Sequence, residues 1–538
     1  MVRRAIGFIT GKISGLERAA FWLAGFSALS LLLGFVRDRI LAHYFGAGQE
    51  LDIYYAAFKI PDVLFATVAS LVSASILVPV FMGKEKKEDL KKIIDSVLSS
   101  FSILIVISCA ILFFLMPLLV QIFFGSLGEM TEQIIYFSRI MLLSPLFLGF
   151  SNFFGSIVQY EKRFILYSLS PLLYNVGIIG GLLFFSEYGI ASAVWGVCVG
   201  AFLHLLIQKM FVFFSPERPH FVTNIWSKEV RHIFALSIPR TLSLSVSSIA
   251  MLFLASIASQ SSYGSIALFT LAFNLQSVLL SLIGVSFSQA AFPTLAEHHS
   301  KSEWVELGKC LSSGLRQIIF WSLPLAGLLI ILRAHIVRVI LGSGAFDWSD
   351  TRMTAAVLAI FVFSVVFQSI QLFLTRAHYA FGKTKVPLIM NISGTILTII
   401  LAYIFSNFAS ISDPIISFLS NILKVSDLPR SSVLLLPLAF SIGSIVSSFL
   451  LWFSIPTNIR KAYEHPIWHS VRDAVLTSII LIMATAFALR VFNDFFIELD
   501  TLQSVFFHGL LSGLVGLFAA FFFLKIIKNR ELGEVMKN

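Results

Sequence analysis

What most constrains this chain is a succession of apolar stretches, each long enough to cross a bilayer, running almost from end to end. A membrane-spanning helix needs about 20 consecutive apolar residues. Polar breaks divide the chain into fourteen such stretches, at 19–45, 51–82, 94–124, 132–160, 164–186, 189–213, 232–259, 265–296, 308–333, 352–380, 386–408, 431–455, 472–493 and 503–527. Inside hydrocarbon every backbone polar group must be satisfied internally, and runs of this length do so as helices. The expected fold class is therefore an all-α polytopic membrane protein of about 14 transmembrane helices. Charged residues are 13% of the sequence, against about 25% in soluble domains, and no connection is long enough to hold a catalytic or nucleic-acid-binding domain. The net charge of +10 reads instead as topology. Lys and Arg gather in alternate connections, among them Lys84, Lys86, Lys87, Lys91 and Lys92, Lys162 and Arg163, Lys301 and Lys309, and Lys383 and Lys385. Those connections, with both termini, are expected on the cytoplasmic side. The opposite connections are nearly free of basic residues apart from Arg333, Arg338, Arg352, Lys424 and Arg430. The N-terminal run Arg3, Arg4, Lys12 and Arg18 precedes a stretch with no clear small-residue cleavage site, which reads as a retained first span.

One helical hairpin breaks the apolar pattern. From Ser30 to Pro61 the chain reads SLLLGFVRDRILAHYFGAGQELDIYYAAFKIP, placing Arg37, Asp38 and Arg39 in the first stretch and Asp52 and Lys59 in the second. A charge at the bilayer centre costs about 2.5–3.5 kcal/mol on insertion scales, so such residues face a partner or a wet cavity. Arginine keeps its charge when buried and binds phosphate through a planar fork of donors. Arg37 and Lys59, with Arg240 in the seventh stretch, would make a cavity that attracts an anion, most naturally a phosphate or diphosphate. The residues alone leave Arg37 open to a second role, an internal ion pair with Asp38 or Asp52. Asp52 is likewise open between a cavity charge and a helix cap. The seventh to twelfth stretches carry no carboxylate away from their ends.

The two halves of the chain echo each other. AAFKIPDVLFATVASLVSASILVPVF from Ala56 and LAFNLQSVLLSLIGVSFSQAAFPTLA from Leu271 share Ala-Phe-(Lys/Asn), a late Ser-x-Ser and a following Pro, with Ala57 and Ala272 being 215 residues apart. Tyr160-Glu-Lys-Arg and Tyr379-Ala-Phe-Gly-Lys are 219 apart. These offsets predict two parallel six-helix bundles, 1–213 and 232–455, with 472–527 as an additional pair. Catalytic signatures such as HExxH, GxxxxGK[ST] and GxSxG are missing, and Cys109, Cys198 and Cys310 are isolated, so neither an enzyme nor a metal site nor a cofactor is expected.

The hairpin GFVRDRILAHYFGAGQELDIYYAAFKIPD resembles the N-terminal signature of the MurJ/MviN lipid II flippases, within the multidrug/oligosaccharidyl-lipid/polysaccharide exporter superfamily. SIPRTLSLSVSSI, SFSQAAFPTLA and RAHIVRVILGSGAFDWSDT extend the likeness over nearly the whole chain. The resemblance implies a bacterial inner-membrane protein that moves the lipid-linked peptidoglycan precursor, lipid II, from the inner to the outer leaflet by alternating access. It implies a groove for the polyprenyl tail in the last two helices. The partners it implies are lipid II, membrane lipids and cell-wall synthesis proteins. Carried over by position, Arg37, Asp38, Asp52 and Lys59 match the family pattern. Three arginine positions of that pattern are occupied here by Leu31, Phe65 and Asn274. Asn274 thus enters the expected substrate-binding set with Arg37, Lys59 and Arg240, and Asp38 and Asp52 are expected cavity or gating charges. Arg240 is expected to restore part of the missing charge. The departures keep open another polyprenyl-diphosphate-linked glycan or an amphiphile as substrate, exported by a member of the same superfamily, or a non-transporting membrane scaffold.

Overall fold

The computed structural model describes residues 16–83, 86–216, 218–223, 225–494 and 501–537. Arg3, Arg4, Lys12 and Lys84 lie outside the described residues. Among the described residues the regular structure is helical throughout. The chain divides into two compact units, Met1–Ile266 and Ala267–Asn538.

The first unit holds α1 (Leu16–Phe45), α2 (Gln49–Thr67), α3 (Ala74–Met82), α4 (Lys87–Phe124), α5 (Met130–Met141), α6 (Leu143–Tyr160), α7 (Phe164–Phe184), α8 (Ile190–Phe213) and α9 (Lys228–Ala258). Its core is built around Phe81, Phe101, Phe153, Ile157 and Val97, which α9 closes with Val230, Ile233 and Phe234. The seventh apolar stretch therefore packs in this unit. Its serines bond across to neighbouring helices: Ser237 Oγ donates to the Leu71 carbonyl at 3.1 Å, and Ser256 Oγ to that of Phe123 at 2.6 Å. The connection before α9 is tacked onto α4, where Asp95 accepts from the His220 amide at 2.7 Å and Ser99 from that of Val222 at 2.8 Å.

The second unit takes α10 (Ser265–Leu279) from Ala267 onward, then α11 (Ser286–Ser300), α12 (Trp304–Ile331), α13 (Arg333–Ile340), α14 (Trp348–Ala380), α15 (Lys385–Asn407), α16 (Ala409–Leu423), α17 (Leu435–Phe453), α18 (Thr457–Asn493), α19 (Leu502–Ile526) and α20 (Arg530–Lys537). α18 packs along α12, and α19 along α18 and α13. Two connections between the long helices of the second unit hold shorter helices of their own, α13 and α16.

By length and composition twelve described helices can cross a membrane, or thirteen when the bent pair Gln49–Thr67 and Ala69–Met82 is one span. α1 is the helix that separates this number from the fourteen stretches of the sequence. The second stretch, expected to be continuous from 51 to 82, bends by 43°. Thr67 and Ser70 hydroxyls turn back onto the Val63 and Ala66 carbonyls, both at 2.7 Å. Such back-bonding competes with the helical ladder and bends it, and Ser73 then takes an extended conformation before α3 begins. α10 passes into α11 through a π-helical turn, Leu280–Val285.

Glycine brings one pair of helices in each unit close together. An added Cβ on Gly177 would lie 2.3 Å from the Gly200 Cα, and one on Gly181 would lie 2.8 Å from the Gly196 Cα, so α7 and α8 touch backbone to backbone. In the second unit, α15 and α17 approach likewise at Gly394 and Gly443, whose Cβ atoms would lie 2.8 and 2.7 Å from each other's carbonyl oxygens. Gly177 and Gly394 are 217 residues apart, between the two offsets read from the sequence.

Four of the five basic residues that interrupt the charge pattern are engaged locally. Arg352 forks onto Asp427 at 2.6 and 2.7 Å and holds that exposed carboxylate below its ordinary range. Arg430 pairs with Asp350 at 3.2 Å, Arg333 donates to the Ile330 carbonyl at 2.9 Å, and Arg338 stacks 5.2 Å from the Trp348 ring centre.

At the opposite end of the second unit, Arg316 of α12 meets Glu531 of α20 at 3.3 Å, with both side chains more than nine-tenths buried. Ser470 donates to the same carboxylate at 2.5 Å, and Asn529 donates to Asp473 at 3.1 Å. Removing one partner of a buried pair leaves an uncompensated charge and costs about 3–5 kcal/mol. Glu531→Ala is expected to lower the melting temperature and release the C-terminal helix to limited proteolysis, and Glu531→Gln, which keeps an acceptor oxygen but not the charge, is expected to fall between it and wild type. An unchanged melting curve for Glu531→Ala would show that the pair does not anchor the tail.

Candidate functional site

The embedded charges of the first unit form one polar cluster. α1 presents Ser30 and Arg37 two turns apart on one face, and α7 packs against it, placing Asn175 between them. The Asn175 amide donates to the Ser30 carbonyl and hydroxyl, both at 3.3 Å, and its oxygen accepts from Arg37 Nη1 at 3.3 Å. Arg37 folds back onto its neighbour: Nε and Nη2 both donate to Asp38 Oδ1, at 2.9 and 2.7 Å. The internal pairing left open by the sequence is thus present. Its partner is Asp38, which is 4% exposed, while the arginine side chain keeps 22% exposure.

α2 supplies the facing wall. Tyr55, Lys59 and Asp62 recur at helical spacing on one side of it. Tyr54 and Tyr55 are buried near Arg37, and the Tyr55 hydroxyl is enclosed with no hydrogen-bond partner among the described residues. Lys59 is half-buried and has no ion pair within 4.0 Å among the described residues; the opposite charge that acts on it is Asp62, one turn on. Tyr174 of α7 completes the ring and hydrogen-bonds Ser144. Asn175, Tyr54, Tyr55 and Tyr174 were not singled out by the sequence reading. An amide four residues after Pro171, in the middle of an apolar helix, is the signal that marks Asn175.

The other candidates stand elsewhere. Asp52 is 1% exposed, and its carboxylate accepts from the Gly264 backbone amide at 2.6 Å, where Gly264 has a positive φ of 88°. It ties the start of α2 to the turn after α9, whereas the N-cap of its own helix is Gly48, which has no side chain to bond with. Arg240 falls within α9, and its side chain lies outside the described residues. Asn274 is a half-buried residue of α10 in the second unit, whose carbonyl accepts from Ser277 at 2.7 Å. Leu31 is 37% exposed and Phe65 half-buried. Arg139, unassigned by sequence, donates to the Phe113 carbonyl at 3.1 Å and stacks on its ring.

The C-terminal pair carries a groove of about 560 Å³, lined by Phe492 and, along α19, by Leu511, Leu514, Val515, Phe518, Ala519 and Phe522. Every lining side chain is apolar, so the groove suits a hydrocarbon chain and offers a head group nothing.

Residues 41–506 match the family model described as "Lipid II flippase MurJ". The chain belongs to the MurJ family. The match begins at Leu41, after Arg37 and Asp38. A "Probable lipid II flippase MurJ" of Thermotoga maritima is 25% identical over 521 residues, covering 96% of this chain and 98% of the relative. One of Borreliella burgdorferi, with the same description, is 26% identical over 394 residues, covering 70% of this chain and 76% of the relative. A solved "Lipid II flippase MurJ, inward closed conformation" superposes with a TM-score of 0.75 at 23% identity, covering 94% of this chain and 98% of that one. An inward-facing multidrug resistance MATE family transporter superposes with a TM-score of 0.64 at 16% identity, covering 82% of this chain and 96% of that one. The MurJ fold is thus shared over nearly the whole length, and the wider transporter fold over most of it.

Proposed function

We propose that this protein is a lipid II flippase of the bacterial inner membrane, carrying the lipid-linked precursor from the inner to the outer leaflet by alternating access, with both termini cytoplasmic. The observation that carries the reading is the charged cluster inside apolar helices: Arg37 is partly exposed beside Asp38, and Lys59 has no ion pair within 4.0 Å among the described residues, with Asp62 one turn on. A diphosphate brings oxygens that match the arginine fork bidentately, and it can take over the guanidinium now held by Asp38. In this reading Arg37 and Lys59 contact the diphosphate, with Arg240 and Asn274 as contributors from later helices. Asp38 and Asp52 act as the cavity and gating charges. The two six-helix halves, 1–213 and 232–455, are the moving parts, and the apolar groove of the 472–527 pair takes the polyprenyl tail. Cell-wall synthesis proteins are the partners that would supply and consume the substrate.

Expression of this chain in a bacterium depleted of its own lipid II flippase is expected to restore growth and cell shape. Failure to rescue at normal membrane levels would contradict the proposal. The three positions occupied by Leu31, Phe65 and Asn274 favour a second reading, in which the head group is another polyprenyl-diphosphate-linked glycan. Competition between lipid II and such glycans for the purified protein separates the two: preferential binding of the other glycan would replace lipid II as the substrate.

A further inference from the structure

One buried contact of the second unit consists of two imidazoles. His335 of α13 and His508 of α19 face each other with Nε2 of the first 3.0 Å from Nδ1 of the second. His508 is 3% exposed, and its other nitrogen, Nε2, lies 3.0 Å from the Leu489 carbonyl oxygen at the end of α18. A carbonyl only accepts, so His508 Nε2 carries the hydrogen, and in the neutral ring Nδ1 is a bare acceptor. His335 Nε2 must therefore donate to it, which leaves His335 Nδ1 bare. That atom is buried with no hydrogen-bond partner among the described residues. The wiring is complete only while both rings are neutral.

A proton added to His335 Nδ1 is a charge with no acceptor. A proton added to His508 Nδ1 meets the hydrogen already offered by His335. With both rings charged, two N–H groups point at each other and two cations touch. Among the described residues, charged neighbours do not relieve this. Arg338 acts on His335 from the same helix, Arg333 is turned to the Ile330 and Leu423 carbonyls, and Asp350 of α14 is held by Arg430. Arg490 adds another positive charge in the last turn of α18. Burial first, then His508 and Arg338, lower the His335 imidazole to about 4. A lowered histidine value means that the contact is at full strength above the ordinary value, near 6.5, and weakens as pH falls from there toward 4.

The position of the pair gives the contact a consequence. Leu489 and Phe492 are one turn apart on α18, as His508 and Leu511 are on α19, and Phe492 and Leu511 line the apolar groove. We propose that His335 and His508 form a proton-sensitive clasp that closes one end of this groove by holding α19 against α13, and that acidification opens it. The clasp is independent of what the groove carries, so it stands or falls separately from the transport reading.

The test is a distance measurement on the full chain in lipid nanodiscs, with Cys109, Cys198 and Cys310 replaced and nitroxides at two exposed positions, Ala345→Cys and Phe506→Cys. Pulsed electron resonance is expected to show a separated population that grows about tenfold between about pH 7.5 and about pH 5, the interval over which histidine ordinarily charges. His335→Gln/His508→Gln keeps a donor and an acceptor without a titrating ring, and its distances are expected to stay constant over that interval. Histidine nitrogen shifts of the unsubstituted rings give a second readout, with both rings protonated only at Nε2 at neutral pH. Wild-type distances unchanged down to about pH 5, the same opening in the double variant, or the opposite tautomer at either ring would each overturn the proposal.

Discussion

Replacing Gly200 by alanine is expected to destabilise the first unit by about 3 kcal/mol, the upper end of what overpacking costs in a close-packed interior. The new Cβ would lie 2.3 Å from the Tyr174 carbonyl oxygen and 3.2 Å from its Cα. Both are backbone atoms of the facing helix, so no rotamer change relieves the clash. The helices must separate, and with them the Gly177 and Gly181 contacts that depend on the same approach. Small residues allow membrane helices to gain packing that lipid cannot supply. Gly180 provides the control: a Cβ there meets only the Phe184 ring at 4.0 Å, and Gly180→Ala is expected to melt as wild type does. Equal melting temperatures for Gly200→Ala and wild type would show that the two helices do not pack at this distance. The effect extends to the site, because Tyr174 and Asn175 sit on the part of α7 that would be displaced.

The larger functional effect is expected at Arg37. Hydrogen bonds to charged groups contribute about 1.5–3 kcal/mol each. Losing a two-pronged contact to a diphosphate would therefore slow transport on the order of a hundredfold or more. Arg37→Ala alone mixes this with a second cost, since Asp38 would be left as a buried carboxylate without its cation. The neutral pair Arg37→Gln/Asp38→Asn removes both charges and retains side chains that can hydrogen-bond. It is expected to reach normal membrane levels and to fail in transport. Arg37→Lys keeps the charge without the fork and should fall between. Full transport by the neutral pair would return Arg37 to a purely structural role.

Much of the architecture was legible because apolar length and loop charge are local properties of a sequence. Most helix ends lie close to the polar breaks, although α18 begins at Thr457 and runs through the break before 472, and α13 and α16 appear in the connections that were long enough to hold them. What local reading missed depends on contacts between distant residues. Nothing around Glu531 identifies Arg316 as its partner, because the two are joined only by the packing of α20 against α12. The bend after Thr67 comes from hydroxyls that turn onto the backbone, which an apolar count treats as ordinary helix. At the site, sequence found the charges but not their surroundings. Arg37 and Asp38 stood out as costly in hydrocarbon, whereas Asn175 and Tyr55 gain their meaning only when α7 and α2 bring them beside Arg37. Asp52 stands out in the sequence as an acid entering an apolar helix, and its partner, the Gly264 amide, follows from the turn after α9 and not from any motif.

The most direct measurement is the leaflet accessibility of lipid II in cells depleted of their own flippase and supplied with this chain. Wild type is expected to make lipid II available to a probe outside the membrane, and Arg37→Gln/Asp38→Asn at equal membrane levels is expected to leave it inside. External lipid II at the same level with the variant as with wild type, or none with wild type, would contradict the account.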